Sequence, residues 1–337
     1  MPFAYLVRRM RLLSFAWVPL LFLATAAAAS SGRSLTKATF IPQWVPQAQF
    51  AGYYVAYERG FYEKHGIDLE IIPGGPERGS DEFLKNGKAH FATMWLSAGI
   101  LMRSKGVKVV NIAQMVQRSA LMLVAKKSSG IQSYQDIQGK KVGLWSPIFQ
   151  VQPRAFFKKY NLQVREVRQS YAINLFLRDA VDVASAMWYN EYHTILNSGL
   201  NPDELTTFFF HEHGLNFPED GIYTLEDTFT TDPDLCVAFV RASVEGWRYA
   251  FAHPEEALDI VMRNLRDAHI PATRVHQRWM LNRMRDLMIR QDAETPIGML
   301  EPVDHDRVTR ELRESGLIED IPEITSFHRR CYPHAEK

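Results

Sequence analysis

Short apolar strands and amphipathic helices alternate along most of this sequence, and this alternation constrains the fold more than any other feature. The strands are predicted at 39–44, 68–72, 89–95 and 107–116 in a first block, and at 141–145, 164–169, 183–188 and around 208–210 in a second block that starts after Gly130. Helices are predicted between them, for example at 48–64 and 151–160. Strands that alternate with helices predict mostly parallel sheets with helices packed on their faces.

The pattern becomes helical after about residue 230. Asp232 and Pro233 are typical of a helix start, and further helices are predicted from Pro254 and from Ala272. Two α/β blocks followed by helices predict an α/β protein of two lobes with a ligand cleft between them, the C-terminal helices packing on the first lobe. The predicted lobes are 38–125 together with 225–337, and 126–224, with a hinge where the chain crosses near 120–130 and 220–230.

The N-terminal segment has the composition of an export signal. Arginines within 8–11 precede an apolar stretch at 12–23, and small residues follow up to Ala29. This order predicts a secretory signal peptide at 1–29, because the apolar stretch is short for a membrane span. The alternative is an uncleaved N-terminal anchor. The signal predicts that the rest of the chain is exported to the periplasm.

Composition and charge exclude several classes of protein. The 337 residues are 46% hydrophobic and 23% charged, which is typical of globular proteins and argues against disorder or a coiled coil. Lys+Arg 39 against Asp+Glu 38 gives a formal net charge of +1, so there is no electrostatic case for nucleic-acid binding. Two cysteines, Cys236 and Cys331, are too few for a disulfide scaffold or a four-thiolate metal site, and whether they pair is left open.

Tryptophans stand at four equivalent places in the predicted fold. Each ends a predicted strand and precedes a loop or a helix: Trp44, Trp95, Trp145 and Trp188. Ligands of open α/β sheets bind at the carboxyl ends of the strands. Flat aromatic faces there would hold a planar ring by stacking, or a cation by its attraction to the π-face. The alternative for any one of them is packing in the core beneath the loops, but four together favour a site.

Polar residues beside these tryptophans complete a candidate ligand site. Amides and carboxylates at a cleft rim can recognise ring nitrogens and exocyclic amines by hydrogen bonds. Glu191 suits an amino group or a cation, and its alternative role is a first-turn carboxylate that interacts favourably with the helix dipole. The candidate ligand-binding residues are Trp44, Gln49, Trp95, Ser146, Trp188, Tyr189, Asn190 and Glu191.

Signatures of common enzyme and metal sites are missing from the sequence. It contains no G-x-S-x-G, H-E-x-x-H or G-x-G-x-x-G segment. On the predicted strand, His211 and His213 would face one side and Glu212 the other, so no third ligand for a zinc ion is evident. The sequence therefore predicts no catalytic residue, no metal site and no cofactor.

Two segments resemble a known family. QWVPQAQFAGYYVAYERGFY at 43–62, followed by GIDLE at 66–70, is similar to the opening of the ABC-transporter substrate-binding proteins of the thiamine-pyrimidine, sulfonate and nitrate group. MWYNEY at 187–192 is similar to the segment by which the thiamine-pyrimidine members are known. The resemblance covers roughly 38–230, and a helical continuation fits the same family.

The resemblance implies a type II periplasmic-binding-protein fold and delivery of the ligand to an ABC permease, the only link to the membrane. It also implies an aminopyrimidine ligand, hydroxymethylpyrimidine or its formylamino precursor. Trp44 and Tyr189 would then flank the ring, and Asn190 and Glu191 would contact its amines. A sulfonate-, nitrate- or taurine-type ligand is the alternative, and Phe50, where many relatives carry a histidine, leaves the ligand open.

The family also resembles an enzyme branch, the single-turnover thiamine-pyrimidine synthases, which hold pyridoxal phosphate on a lysine and consume their own histidine. In that branch the lysine and the histidine lie four residues apart, where this chain has Met94 and Ala98. The cysteine-rich run of the branch is also missing. The resemblance therefore implies a binding protein and no enzyme, with the synthase, and a sensor that docks a membrane receptor, as the alternatives.

Overall fold

The structure is a computed structural model, and it describes residues 34–289 and 296–332. The predicted signal peptide, 1–29, lies outside the described residues. Within the described ranges, no helix combines the length and the apolar character needed to cross a membrane.

The strands of the described residues form two sheets of five strands each. They are β1 (Thr36–Ile41), β2 (Ile67–Ile71), β3 (Phe91–Trp95), β4 (Val109–Gln114), β5 (Leu121–Lys126), β6 (Lys141–Leu144), β7 (Arg165–Arg168), β8 (Val183–Met187), β9 (Leu205–Phe209) and β10 (Asp220–Leu225). The apolar sequence LMLVAK of β5 is almost wholly buried, whereas REVR of β7 is largely exposed. This difference follows from their positions, since β5 is an inner strand and β7 lies at an edge.

The helices cover these sheets and fill the C-terminal part of the chain. They are α1 (Ala51–Glu58), α2 (Phe61–Lys64), α3 (Ser80–Lys85), α4 (Leu96–Ser104), α5 (Pro147–Lys159), α6 (Asn174–Leu177), α7 (Glu191–Asn197), α8 (Glu226–Thr231), α9 (Pro233–Ala252), α10 (Pro254–Asp267), α11 (Arg274–Met288), α12 (Pro302–Glu314) and α13 (Ile324–Phe327). Helices α9 and α10 pack on α1, α11 packs on α10, and α12 packs on α4 and α5.

Each sheet has four strands that run in one direction and one that runs against them. The first has the order β2-β1-β3-β10-β4, with β10 antiparallel to both of its neighbours. The second has the order β7-β6-β8-β5-β9, with β5 antiparallel to both of its neighbours. The predicted α/β architecture of mostly parallel sheets flanked by helices is confirmed, and the two antiparallel strands make both sheets mixed.

The chain crosses from the first sheet to the second between Gln114 and Leu121, and it returns between Phe209 and Asp220. The predicted divisions at 125/126 and 224/225 fall at the far ends of β5 and β10. They assign β5 to the first lobe and β10 to the second, whereas strand pairing puts each in the other sheet. After each crossing, the next strand, β5 or β10, pairs in the new sheet as its antiparallel strand. The alternation of strands and helices along the sequence does not show to which sheet a strand belongs.

Three local predictions differ from the structure. The helix predicted at 48–64 is divided into a short 3-10 turn, α1 and α2, because Gly60 adopts a left-handed conformation with φ of 68°. Helix α5 begins earlier than predicted, at Pro147, a residue favoured in the first turn. Residues 210–213 form a 3-10 turn instead of a strand, so the expectation that His211 and His213 face one side does not hold.

Candidate functional site

A cavity of about 440 Å³ lies between connections that follow strands of both sheets. The first sheet contributes Gln43, Trp44, Gln47, Gln49, Gly79, Ser80, Asp81, Met94, Trp95 and Ala98. The second contributes Trp145, Ile148, Phe149, Tyr171, Met187, Tyr189, Asn190 and Glu191. These residues end or follow β1, β2, β3, β6, β7 and β8 at their carboxyl ends, the edge at which open α/β sheets bind ligands.

Six of the eight candidate residues from the sequence line this cavity. They are Trp44, Gln49, Trp95, Tyr189, Asn190 and Glu191. Trp145, one of the four strand-end tryptophans, also lines it and is buried. The residues chosen from the sequence therefore include cavity-lining residues from both sheets.

Trp188 and Ser146 do not belong to the cavity lining. The Trp188 ring packs edge-on against Phe209, with centroids 5.5 Å apart, and the Arg283 guanidinium lies 4.5 Å from its centroid. Consecutive residues at a strand end point to opposite faces, so Tyr189 takes the cavity side and Trp188 the other. Ser146 is exposed at the start of α5, where its side chain makes no capping hydrogen bond.

Two aromatic residues that the sequence analysis missed, Phe149 and Tyr171, complete the cavity wall. Tyr171 lies 4.9 Å from Trp44 between ring centroids, and Phe149 lies 4.6 Å from Trp95, both in edge-on geometry. Trp145 lies 6.1 Å from each of the two. Five rings thus form a continuous chain, in which three rings of the second sheet's side lie between Trp44 and Trp95 of the first. The signal that could have found Tyr171 is its position just after a predicted strand, as for Trp145.

Glu191 is a buried carboxyl at the first turn of α7. Its Oε2 accepts a hydrogen bond from the backbone nitrogen of Met187 at 2.9 Å, and its Oε1 accepts one from Nδ2 of Asn190 at 2.8 Å. Burial raises the pKa of Glu191 to about 7, although these hydrogen bonds oppose the shift. The carboxyl is held in place, and no described residue of the cavity lining offers it a positively charged partner.

Asp220, at the start of β10, is a second buried carboxyl behind the cavity wall. It accepts hydrogen bonds from the side-chain amides of Gln43 and Gln49, the latter at 2.7 Å. Gln47 donates to Oε1 of Gln49 at 2.6 Å, which fixes the Gln49 amide with its amino group toward Asp220. Burial raises the pKa of Asp220 to about 7.

Glu219 is a third buried carboxyl, and it ties the two crossing segments together. It accepts from the backbone nitrogens of Ala120 and Leu121 at 2.5 and 3.1 Å and from Ser119 Oγ at 3.2 Å. Its Oε2 has no hydrogen-bond partner among the described residues. Burial, followed by the neighbouring Asp220, raises the pKa of Glu219 well above its usual value.

Tyr189 connects these carboxyls electrostatically. Burial raises the pKa of its hydroxyl, and the charges of Glu219, Asp220 and Glu191 raise it further. The lining of the cavity contains the acids Asp81 and Glu191 and, among the described residues, no lysine, arginine or histidine. The site therefore combines aromatic walls with an acidic interior, which favours planar ligands that donate hydrogen bonds or carry positive charge.

The described residues contain no cluster of three His, Cys, Asp or Glu side chains that could hold a metal ion. His213 of the predicted histidine pair accepts or donates a hydrogen bond with Tyr160 at 2.7 Å. Cys236 and Cys331 are buried free thiols. These groups serve packing within the described part of the chain.

Comparisons with known proteins agree with this architecture. The chain is 25% identical over 267 residues to the riboflavin-binding protein RibY of Chloroflexus aurantiacus, covering 73% of this chain and 72% of that protein. It is 22% identical over 261 residues to the formylaminopyrimidine-binding protein of Halalkalibacterium halodurans, covering 75% and 78%.

Among solved structures, the periplasmic aliphatic sulphonate binding protein SsuA of Escherichia coli superposes with a TM-score of 0.67 at 13% identity, covering 87% of this chain and 97% of that one. This likeness shows a periplasmic-binding-protein fold. The family described as NMT1/THI5 like matches residues 47–257, which is more than half of the sequence. The chain therefore belongs to the NMT1/THI5-like family.

Proposed function

We propose that this protein is a periplasmic solute-binding protein that delivers a small planar ligand, an aminopyrimidine precursor of thiamine, to an ABC permease. The observation that carries the proposal is the cavity itself. It is walled by aromatic rings from both sheets, its lining includes the buried carboxyl of Glu191, and the described lining holds no basic side chain. A planar heterocycle with exocyclic amines can stack on the aromatic rings and donate hydrogen bonds to that carboxyl group.

The proposal gives each side of the cavity a role. Trp44 and Tyr189 flank the heterocycle, and stacking on such rings contributes about 1–3 kcal/mol by analogy with nucleobases. Glu191 accepts hydrogen bonds from the ligand's amino group beside the amide of Asn190. Asp220 acts through Gln43 and Gln49, two lining residues whose side-chain amides it holds by hydrogen bonds.

Two relatives support this class of ligand through their names. Riboflavin and formylaminopyrimidine are both nitrogen heterocycles that carry hydrogen-bond donors. The likeness to SsuA supports the fold alone, and a sulfonate would meet the carboxyls of Asp81 and Glu191 with no basic residue in the described lining. An anionic ligand is therefore disfavoured by charge repulsion.

The synthase alternative is disfavoured by two residues that line the cavity. Met94 and Ala98 occupy the positions at which the enzyme branch carries its lysine and its histidine. Neither side chain can form a Schiff base with pyridoxal phosphate or supply an imidazole. The reaction of that branch therefore lacks its reacting groups here.

Transport requires export and a movable cleft. We propose cleavage of the signal peptide after Ala29 and two lobes built on the two sheets. The crossing segments 115–120 and 210–219 would act as the hinge, and closure on the ligand would follow the hinge motion of binding proteins. The closed form then presents both lobes to the permease.

The proposal is tested by a ligand panel on the purified mature protein, followed by calorimetry and tryptophan fluorescence. We expect hydroxymethylpyrimidine or its formylamino precursor to bind at micromolar concentration or tighter, to change the fluorescence and to raise the melting temperature. Binding of an alkyl sulfonate with no response to any aminopyrimidine would overturn the ligand class. Pyridoxal phosphate absorbance together with conversion of a protein histidine would instead support the synthase.

A further inference from the structure

We propose that His276 of helix α11 is a positioning residue that sets the specificity of the cavity, because it orients the Asn190 amide toward Glu191 when the two halves of the site meet. The proposal rests on the proposed function, since it concerns recognition of an amino group by Asn190 and Glu191. His276 does not line the ligand cavity and would act through Asn190.

The contacts of Asn190 fix the orientation of its amide. Nδ2 lies 2.8 Å from Oε1 of Glu191, and Oδ1 lies 2.9 Å from Nε2 of His276. In its ionised form Glu191 only accepts hydrogen bonds, so in that form the amino group of Asn190 faces Glu191 and its carbonyl faces the histidine. Since the carbonyl only accepts, Nε2 of His276 carries the proton and donates it.

A second histidine contacts the other ring nitrogen of His276. Nδ1 of His193 lies 2.8 Å from Nδ1 of His276, so one of these nitrogens donates to the other. With its proton on Nε2, a neutral His276 accepts at Nδ1 from His193. The Asn197 amide, whose Nδ2 is placed 3.1 Å from Nδ1 of His193, must then turn its oxygen to that nitrogen, an exchange of two atoms that are nearly indistinguishable. Burial, and then the neighbouring His193, lowers the pKa of His276 to about 4, which keeps the ring neutral at neutral pH. His193 is itself stacked on Trp279, with ring centroids 4.8 Å apart.

Helix α11 is anchored to the segment that follows β1. Gln277 Oε1 accepts a hydrogen bond from the backbone nitrogen of Ala48 at 2.7 Å, and Met280 Sδ accepts one from that of Gln49 at 3.2 Å. Asn190 instead follows β8 of the second sheet. The hydrogen bond between His276 and Asn190 therefore joins the two halves of the site.

A second cavity of about 350 Å³ lies beside this hydrogen bond. Asn190 and Gln47 line both cavities, and His276 lines only the second. Removal of the imidazole would open this space to water and leave the Asn190 carbonyl free to rotate toward the ligand. The amide could then accept from or donate to the ligand, and the preference for an amino group would weaken.

The test compares two variants of His276 with a control on the same helix. His276→Leu removes the donor, His276→Gln retains a side-chain N–H, and Val275→Ala changes a neighbour that is 65% exposed. The probes are hydroxymethylpyrimidine and its analogue with a hydroxyl in place of the amino group. Dissociation constants, dissociation rates and melting temperatures are measured for each protein.

We expect wild type and Val275→Ala to prefer the amino compound. His276→Leu should lower the ratio of the two affinities at least fivefold and raise the dissociation rate of the amino compound, and His276→Gln should restore most of the ratio. An equal loss of affinity for both compounds, or a lower melting temperature with an unchanged ratio, would overturn the proposal, because a structural role alone produces those results.

An NMR experiment on the ligand-free protein separates this proposal from the proposed function. Selective ¹⁵N labelling of histidine should show His276 neutral at pH 7 with its proton on Nε2, and the Asn190 side-chain amide signals should shift in His276→Leu and not in Val275→Ala. A proton on Nδ1, or unchanged Asn190 signals, would exclude the positioning role. Failure of wild type to bind either pyrimidine would overturn the ligand class, and the NMR result would still decide the role of His276.

Discussion

Asp220 illustrates how a single residue links the ligand cavity to the pH dependence of the fold. Its carboxyl is buried, and its described hydrogen-bond donors are the neutral amides of Gln43 and Gln49. Neutral donors offset part of the cost of burying a charge, so the pKa of Asp220 rises to about 7 from an ordinary value of 3.8. The folded protein therefore holds a proton that the unfolded chain releases at much lower pH.

This difference makes the free energy of unfolding depend on pH. The stabilisation from the protonated Asp220 is fully present below about pH 4 and is lost as the pH rises through about 7. Each fully titrating group of this kind changes the free energy of unfolding by about 1.4 kcal/mol per pH unit in that window. We expect Asp220→Asn to reduce the decline between pH 4 and 7, as measured by urea unfolding of the ligand-free protein.

The matched control is Asp320→Asn, since Asp320 is exposed. The control should leave the pH profile of wild type unchanged. If Asp220→Asn shows the same decline as the control, Asp220 is ionised in the folded protein, and its assigned protonation state is wrong.

Glu191 allows a direct test of ligand recognition at the residue scale. In Glu191→Gln one carboxylate oxygen becomes an amino group, which can no longer accept from the ligand, from Asn190 or from Met187. Hydrogen bonds to charged groups contribute about 1.5–3 kcal/mol, so we expect affinity for an aminopyrimidine to fall about 10- to 100-fold in calorimetry. Glu319→Gln at an exposed site should bind as wild type does. Equal affinities for both variants would remove Glu191 from the ligand site.

Sequence reasoning at this scale succeeded where chemistry and position coincide. Glu191 and Tyr189 could be predicted because they follow a strand and carry groups suited to a ligand. Asp220 and Glu219 could not, because Glu219 precedes β10 and Asp220 begins it, and only the antiparallel direction of β10 brings them to the same edge. Trp188 was wrongly predicted to line the cavity. Successive residues at the end of β8 point to opposite sides, so Tyr189 faces the cavity and Trp188 faces α11.

At the scale of elements, the apolar pattern predicts where strands and helices lie along the chain. It does not predict which strands pair with each other in a sheet. The start of α9 was predicted because Asp232 and Pro233 carry local capping chemistry, and the Asp232 side chain accepts from the Leu235 nitrogen at 2.9 Å. The sheet membership of β5 and β10 was missed because pairing joins residues distant in sequence. Local signals thus define an element but not its neighbours.

The contact between α1 and α9 depends on two glycines. A Cβ on Gly246 would lie 2.1 Å from the backbone oxygen of Gly52 and 2.6 Å from the Cβ of Ala56. The obstacle includes rigid helix backbone, so α9 would have to move away from α1. We expect Gly246→Ala to destabilise the protein by about 1–3 kcal/mol, which is the usual cost of overpacking a core.

Thermal unfolding checks this expectation, since a change of 1 kcal/mol shifts the melting temperature by about 1.5 °C in a chain of about 300 residues, given an unfolding entropy of about 2.1 cal/mol/K per residue. Arg241→Ala, on the exposed face of the same helix, should shift it much less. A Gly246→Ala protein as stable as Arg241→Ala would mean that the two helices are not in close contact.

At the scale of the whole molecule, the two halves of the site meet through aromatic rings. Trp44 contacts Tyr171, and Trp95 contacts Phe149, so each half contributes one ring to each pair. The sequence indicated a cleft with tryptophans on both sides, because strand-end positions are readable from the pattern. It did not indicate these pairs, since Phe149 lies within α5 and Tyr171 within a connection.

If the two halves move apart on opening, as proposed, these contacts break, so their removal should shorten the time for which a ligand is held. An aromatic pair contributes about 0.5–1.5 kcal/mol beyond the area it buries, which corresponds to about a two- to tenfold change in a rate or affinity. We expect Tyr171→Ala to raise the ligand dissociation rate by about this factor and to leave the association rate nearly unchanged, because opening must break the pair and encounter need not form it. Stopped-flow tryptophan fluorescence measures both rates.

Tyr57→Ala is the control, because Tyr57 is 50% exposed, comparable to the 47% of Tyr171. It lies on α1 and is outside the cavity lining. If Tyr171→Ala slows association instead, Tyr171 guides the ligand into an open cleft. If neither rate changes, the edge-on contact with Trp44 does not hold the halves together, and closure must depend on the ligand and on the hydrogen bond between His276 and Asn190.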